Sequence, residues 1–358
     1  MSYQIDPRID PRIDPREVQQ RLLAIFIKNA KPGENFTSQI EGGYILILNG
    51  DRICYKLQFP EFQGGVYILL GGFNTECSDN EKSGTTNLNN IVELGKTWNY
   101  DFFQLTDSSK IVYKFETEES ISIPLPLIKL LTTGQTWYSK FGFQNGTCQR
   151  LEPMLKGFFG KNITFRQFGY EYVPKTVKKF NNLPMATKEV ILNTFEQKYR
   201  SFMHVLFNSF PGVVINPNSP LVIVFRNLIK GIQDICPGKI CRSKNKPIIS
   251  TTKDFLEFML FWICACEDPS FIAPSGNIDT ILGNSILDTF IPWVVMELLQ
   301  RMQLMYLSFH PEQHGNNLGG KFRKSKKHKK STSGSRKNKI KRRYVQTSRR
   351  LKKIKISK

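Results

Sequence analysis

The sequence predicts an α+β protein: a mixed sheet with helices, then a mainly helical region and a disordered basic tail. Three observations predict it. Short β-branched and aromatic runs separated by turn residues fill positions 44–123, the pattern of strands. From Thr187 onward apolar residues recur at helical spacing instead, and Pro, Gly and Asn gather at 211–218, 236–250 and 267–278. Lys321 to Lys358 then holds nineteen Lys or Arg and no Asp or Glu, too much charge for a packed core. The expected division is an arm at 1–15, an α/β domain at 16–150, a mainly helical domain at 151–315 and a polybasic tail at 316–358.

Each element has its own reason. The chain opens on one tetrad three times over, Ile5-Asp-Pro-Arg8, Ile9-Asp-Pro-Arg12 and Ile13-Asp-Pro-Arg16. Every Pro removes a backbone donor and biases the residue before it toward extended geometry, so an extended arm is expected. Arg16 to Ala30, REVQQRLLAIFIKNA, gathers its apolar residues on one helical face and stops at Pro32-Gly33. Strands are expected over Tyr44–Leu48, Arg52–Phe59 and Val66–Leu70, the first two joined by the hairpin turn Asn49-Gly50-Asp51. Asn74 to Thr86 is polar and reads as a loop, Asn87 to Trp98 as a helix, Phe102 to Leu105 as a strand and Lys110 to Ile123 as a second hairpin. Pro124 and Pro126 sit where a helix can begin, and Leu127 to Phe141 continues it to Gly142. After the aromatic, mixed stretch Gly157 to Val173, helices are expected over Thr187–Phe210, Ser219–Ile235 and Thr251–Cys266. A final pair, Asp279–Phe290 and Pro292–Phe309, is expected around an interior Pro.

Charge separates the tail from the rest. Met1 to Gly320 balances 32 basic against 30 acidic residues, so nearly all of the formal +21 belongs to the tail. Clusters at Lys326, Lys327, Lys329 and Lys330, at Lys341, Arg342 and Arg343, and at Arg349, Arg350, Lys352 and Lys353 each present several cations to a phosphate backbone. Phe322 and Tyr344 are the tail's aromatics, which limits base stacking and with it sequence preference. Nucleic acid is therefore the expected partner of the tail, bound without sequence specificity.

Other chemistry finds less footing. Seven Cys at irregular positions leave an odd count, so no disulfide framework is expected and a reducing compartment fits. Cys236 and Cys241 with Cys264 and Cys266 could be imagined as a zinc site, but the last pair lies two residues apart on an apolar helix and points to different sides. Buried free thiols are the expectation, and no metal site is assigned. His310-Pro-Glu-Gln-His314 lacks the Glu of a metalloprotease helix and carries an interior Pro. No Walker, dinucleotide, kinase or hydrolase-elbow sequence is present. Phe255–Cys266 and Phe290–Phe309 are the most apolar runs, and polar residues interrupt both short of a membrane span. The opening residues lack a basic-then-apolar signal region, so no secretion is expected.

Leu105-Thr-Asp-Ser-Ser109, followed by Leu130-Leu-Thr-Thr-Gly-Gln-Thr-Trp-Tyr-Ser-Lys-Phe-Gly-Phe143, resembles a set of mostly uncharacterised proteins of giant DNA viruses, mimivirus relatives among them. The order of elements is similar to the Gcn5-related N-acetyltransferase fold over residues 16–150. That resemblance implies a turn whose amides meet the pyrophosphate of acetyl coenzyme A at a helix N-terminus, and the matching residues are Ser83, Gly84, Thr85 and Thr86. The turn has one Gly where the acetyltransferase pattern has two small positions. The resemblance also implies a Tyr that protonates the departing thiolate, and Tyr138, four residues before Gly142, has its spacing. Asp107 and Glu76 stand open as general bases. Two readings follow: a non-enzymatic viral protein with a nucleic-acid-binding tail, acting in the virion or the host cytoplasm, and an acetyl-CoA-dependent N-acetyltransferase of unspecified acceptor.

Overall fold

The computed structural model describes residues 15–28, 30, 32–58, 66–67, 81–97, 102–180, 183–210, 216–237, 240–271 and 287–308. Residues 1–14 and the basic tail lie outside them, while Pro15 and Arg16 of the third tetrad open the first helix. Contacts divide the chain into Met1–Gly315 and Asn316–Lys358, and every described residue belongs to the first unit.

Helix α1 (Pro15–Lys28) buries Val18, Leu22 and Phe26, spaced four apart on one face. Phe26 meets Phe36 at 5.5 Å and the edge of Tyr55 at 4.5 Å between ring centroids, which seats the helix on the sheet. Strands β1 (Phe36–Glu41), β2 (Tyr44–Asn49) and β3 (Arg52–Gln58) form an antiparallel meander. Glu41 pairs with Tyr44 across Gly42-Gly43, whose φ angles of 56° and 80° are those of a two-residue hairpin turn. The expected turn after Asn49 is present, with Gly50 at φ 61°. The register slips between Ile47 and Leu48, so a bulge bends β3.

Strand β4 (Val66–Tyr67) is short, helix α2 spans Glu81–Thr97, and β5 (Phe102–Thr106) lies parallel to β4. Two corrections fall here. β1 was not among the expected strands, and α2 begins at Glu81 rather than near Asn87, which turns the expected loop Lys82–Thr86 into helix. Strands β6 (Lys110–Phe115) and β7 (Ser120–Pro124) make the second hairpin and lead into α3 (Leu125–Thr133). α3 is shorter than the expected Leu127–Phe141 helix. Gly134 ends it in the left-handed region at φ 74°, its N–H donating to the Leu130 carbonyl, and a separate 3-10 turn covers Tyr138–Phe141.

The second half is helical, as expected: α4 (Gly146–Gly160), α5 (Phe165–Gln167), a π turn (Phe168–Tyr172) running into α6 (Val173–Lys178), α7 (Met185–Ser209) and α8 (Leu221–Ile235). The two-residue strand β8 (Ile240–Cys241), α9 (Lys246–Glu267), α10 (Leu287–Gln303) and strand β9 (Leu304–Ser308) complete it. Thr164 starts α5 with reciprocal bonds: its hydroxyl accepts from the Gln167 N–H at 3.1 Å, and the Gln167 side chain accepts from the Thr164 N–H at 3.0 Å. α9 is buried continuously from Phe255 to Ala265. Apart from buried Glu257 this stretch is apolar on all sides, and α3, α4, α6, α7, α8 and α10 all pack on the helix. Phe165, Phe195, Tyr199, Phe202, Phe258 and Trp262 fill the space between α9 and its neighbours with stacked and edge-on rings. Among the described residues no helix is long and apolar enough to cross a membrane.

The division expected near residue 150 is not found. β9 pairs antiparallel with β5, from Phe102 against Ser308 to Thr106 against Leu304, and closes the order β1-β2-β3-β4-β5-β9. β8 pairs with β6 in the smaller sheet β7-β6-β8. Two strands of the helical half thus complete both sheets, and one buried cluster runs from Val18 to Met305. Residues 304–308 were expected to continue a helix. Their backbone instead fills the open edge of β5 and bonds Gln144 on its other side, with N···O distances of 2.8 Å in both directions between Gln144 and Tyr306.

Candidate functional site

Asp107 follows β5, and its N–H donates to the Gln303 carbonyl at 2.8 Å, which fixes the loop between β5 and β6 against the end of α10. One carboxylate oxygen accepts from the Ser109 N–H at 3.1 Å and the Ser109 hydroxyl at 2.5 Å. The group is buried, and burial pushes its pKa up against the lowering effect of those two bonds.

Tyr138 opens the 3-10 turn and is also buried, 5% exposed. Its ring lies edge-on to Trp137 at 4.7 Å and to Phe143 at 6.3 Å. Burial raises the phenol's pKa strongly, and the charge of Asp107 adds to the rise. The same carboxylate acts on Cys148 in the first turn of α4, whose thiol burial and neighbouring Glu152 push up to about 12. The structure therefore brings Tyr138 and Asp107 into one electrostatic neighbourhood, together with Cys148 and Glu152. Each member holds its proton more firmly than in water or is tied up in local hydrogen bonds.

Glu152 organises the turn that carries Tyr138. Its Oε1 accepts from the Thr136 N–H at 3.0 Å, the Thr136 hydroxyl at 3.2 Å and the Ser139 hydroxyl at 2.5 Å. Gly142 ends the turn at φ 92°, and a Cβ there would stand 2.9 Å from Leu307 of β9. The spacing from Tyr138 to Gly142 is thus accounted for locally: a short 3-10 turn, a left-handed stop, and close approach of the last strand. Sequence reasoning missed Glu152 and Asn145. The Asn145 side-chain oxygen accepts from the Cys148 N–H at 2.8 Å and caps α4.

The coenzyme A residues fare differently. Ser83, Gly84, Thr85 and Thr86 lie in the first two turns of α2, and from Thr85 on the amides enter the intrahelical ladder rather than facing a ligand. The turn expected over these residues is therefore the start of the helix itself. Glu76 lies outside the described residues, as do the strand ends past Tyr67 where a pantetheine cleft would open.

The thiols need one further correction. Cys236 and Cys241 form a disulfide with Cα atoms 5.1 Å apart, inside the usual range, and Cys54 is disulfide-bonded as well. The expectation of free thiols holds for Cys264 and Cys266, and Cys148 is free as well. The imagined zinc set is not assembled: Cys264 lies near the far end of α9, roughly 27 Å of helix from Lys246, which follows Cys241 by five residues. Among the described residues no group of three His, Cys, Asp or Glu is placed to hold a metal ion. His204 is exposed on α7, and the other three His and the whole tail lie outside the described residues. Comparison with protein-family models, with curated proteins and with solved structures returned no match for the chain.

Proposed function

We propose that the protein is non-enzymatic and binds nucleic acid without sequence preference through its polybasic segment Lys321–Lys358, in the virion or the host cytoplasm. The observation that carries this reading is the segregation of charge: nineteen cations in 38 residues beside a body balanced at 32 basic and 30 acidic residues. A polycation of that density gains affinity from counterion release rather than from base contacts. The body supports the non-enzymatic part of the reading. Tyr138, the residue with the spacing of an acetyltransferase acid, is a buried packing residue with a raised pKa. A proton donor to a thiolate works best when its pKa lies near that of the acceptor.

Filter binding across a salt series tests the reading on the full chain. A variant with Gln at all nineteen Lys and Arg of Lys321–Lys358 is compared with the wild type. Wild-type affinity is expected to fall about a thousandfold or more between roughly 50 and 200 mM salt, and the variant to lose most of that slope. Equal affinity and slope for the two chains would remove the tail from the reading. Calorimetric titration with coenzyme A checks the other half, since measurable binding at millimolar ligand would reinstate the acetyltransferase account.

A further inference from the structure

The charge balance of the body is uneven. Residues 161–200 hold eight Lys or Arg against three Asp or Glu, so the rest of Met1–Gly320 carries an acidic excess. Much of this basic charge sits on one helical run, α5 through the π turn to α6. Phe168, Gly169, Val173 and Val177 face inward, while Arg166, Tyr170, Glu171, Lys175, Lys178 and Lys179 are exposed. Glu171 is the one carboxylate on this exposed face, and Lys175 offsets it at 3.7 Å while keeping its own side chain 73% exposed. Lys188 of α7 joins the group by donating to the Lys178 carbonyl at 3.1 Å.

Tyr170 is the unusual member. Phe168 and Tyr172 stack with each other at 6.0 Å and pack on Phe158, but Tyr170 between them is 42% exposed. It is held from behind: its ring stands edge-on to buried Tyr199 at 6.3 Å and its hydroxyl lies 4.0 Å from the Met203 sulfur. Tyr199 keeps its own position by donating to the Phe165 carbonyl and by lying against Gly169, where no side chain would fit. An exposed aromatic braced in this way, with Arg166 four residues before it and Lys175, Lys178 and Lys179 after it, combines a stacking platform with cations that track a phosphate backbone.

We propose that this face is a second nucleic-acid contact, specific for unpaired strands, with Tyr170 stacking on a base and Arg166, Lys175, Lys178 and Lys179 meeting phosphates. It rests on the reading of the tail as a nucleic-acid-binding segment and adds what the tail lacks, a preference for single strands over duplex.

The test measures fluorescence anisotropy of the full chain with a labelled single-stranded 30-mer, a duplex of the same composition and vesicles containing phosphatidylserine. Tyr170→Ala is expected to weaken single-strand binding roughly fivefold to a hundredfold and to leave duplex binding unchanged, while Tyr170→Phe matches the wild type. Neutralising Lys175, Lys178 and Lys179 to Gln is expected to lower the salt slope for the single strand by about two and to leave the duplex slope unchanged. Unchanged single-strand affinity for Tyr170→Ala overturns the proposal. So does an equal loss on duplex, or a loss confined to vesicles. None of these results touches the tail, whose own failure shows separately, as wild-type binding by the Gln-substituted tail variant.

Discussion

The side chain of Asn145 donates to the Leu304 carbonyl at 2.9 Å and to the Arg301 carbonyl at 3.1 Å, while its oxygen caps the first turn of α4. One amide thus joins the N-terminus of a central helix to the junction of α10 and β9, 159 residues away in sequence. The carbonyls it meets belong to the last turn of α10 and the first residue of β9, where a helix has no further partners of its own.

This relationship predicts graded costs. Asn145→Ala removes the cap and both donors and is expected to lower stability by about 2 kcal/mol, roughly 1 from the cap and the rest from the orphaned carbonyls. Asn145→Asp keeps the capping oxygen and loses the donors, so about 1 kcal/mol is expected. Urea denaturation followed by circular dichroism measures both. Equal losses for the two variants would deny the second role.

Tyr138 is expected to behave as a packing residue. Tyr138→Phe keeps the ring contacts with Trp137 and Phe143, and its stability should stay within about 1 kcal/mol of wild type. Tyr138→Ala should cost about 3–5 kcal/mol through the cavity it leaves. A Phe variant as damaged as the Ala variant would show that the hydroxyl, not the ring, holds the turn.

These residues also show where the sequence was legible. Helices with one apolar face, such as α1 and α8, and the hairpin at Asn49-Gly50 announce themselves through local periodicity and turn chemistry. β1 was missed: Gly42-Gly43 is a hairpin signal of the same kind, but the strand's exposed face offers no alternation to read. β9 had no local signal. Leu304-Met-Tyr-Leu-Ser308 follows a helix without Pro or Gly between them, and it is extended because the open edge of β5, nearly two hundred residues earlier, supplies its partners. At the site, the paired elements around Tyr138 could be placed, but the direction in which the ring points could not. Burial against Trp137 and Phe143 decides whether a phenol is a reagent or a core residue.

The free thiols should be inert in the native state. Burial pushes Cys148 and Cys266 up to about 12 and Cys264 higher still, so at pH 8 each holds about a thousandth of the thiolate of an exposed cysteine or less. Peptide mapping after brief iodoacetamide treatment is expected to find Cys148, Cys264 and Cys266 unmodified without denaturant and alkylated with it. Native alkylation of Cys148 at the rate of a free cysteine would mean that its first-turn position is open to solvent.

Glu257 sets a pH dependence. It lies on α9, 1% exposed, with Lys253 Nζ 3.3 Å from one oxygen and no hydrogen bond of good geometry to either. Burial raises its pKa above 4.5, Lys253 opposes the rise and Asp254 adds to it. The folded state therefore holds this proton more tightly than the unfolded chain does. From this group, stability is greatest below about 4.5, declines as pH rises through the raised value, and levels off once the carboxylate is ionised in both states. Glu257→Gln removes that slope. The Tm of the Gln variant relative to wild type is expected to climb as pH rises from 4.5 and then hold steady. Lys253→Met, which deletes the opposing charge, is expected to extend the decline to higher pH. Parallel melting profiles for wild type and Glu257→Gln across the range would show that the carboxylate is solvated after all, and no shift with Lys253→Met would show that the ion pair contributes nothing.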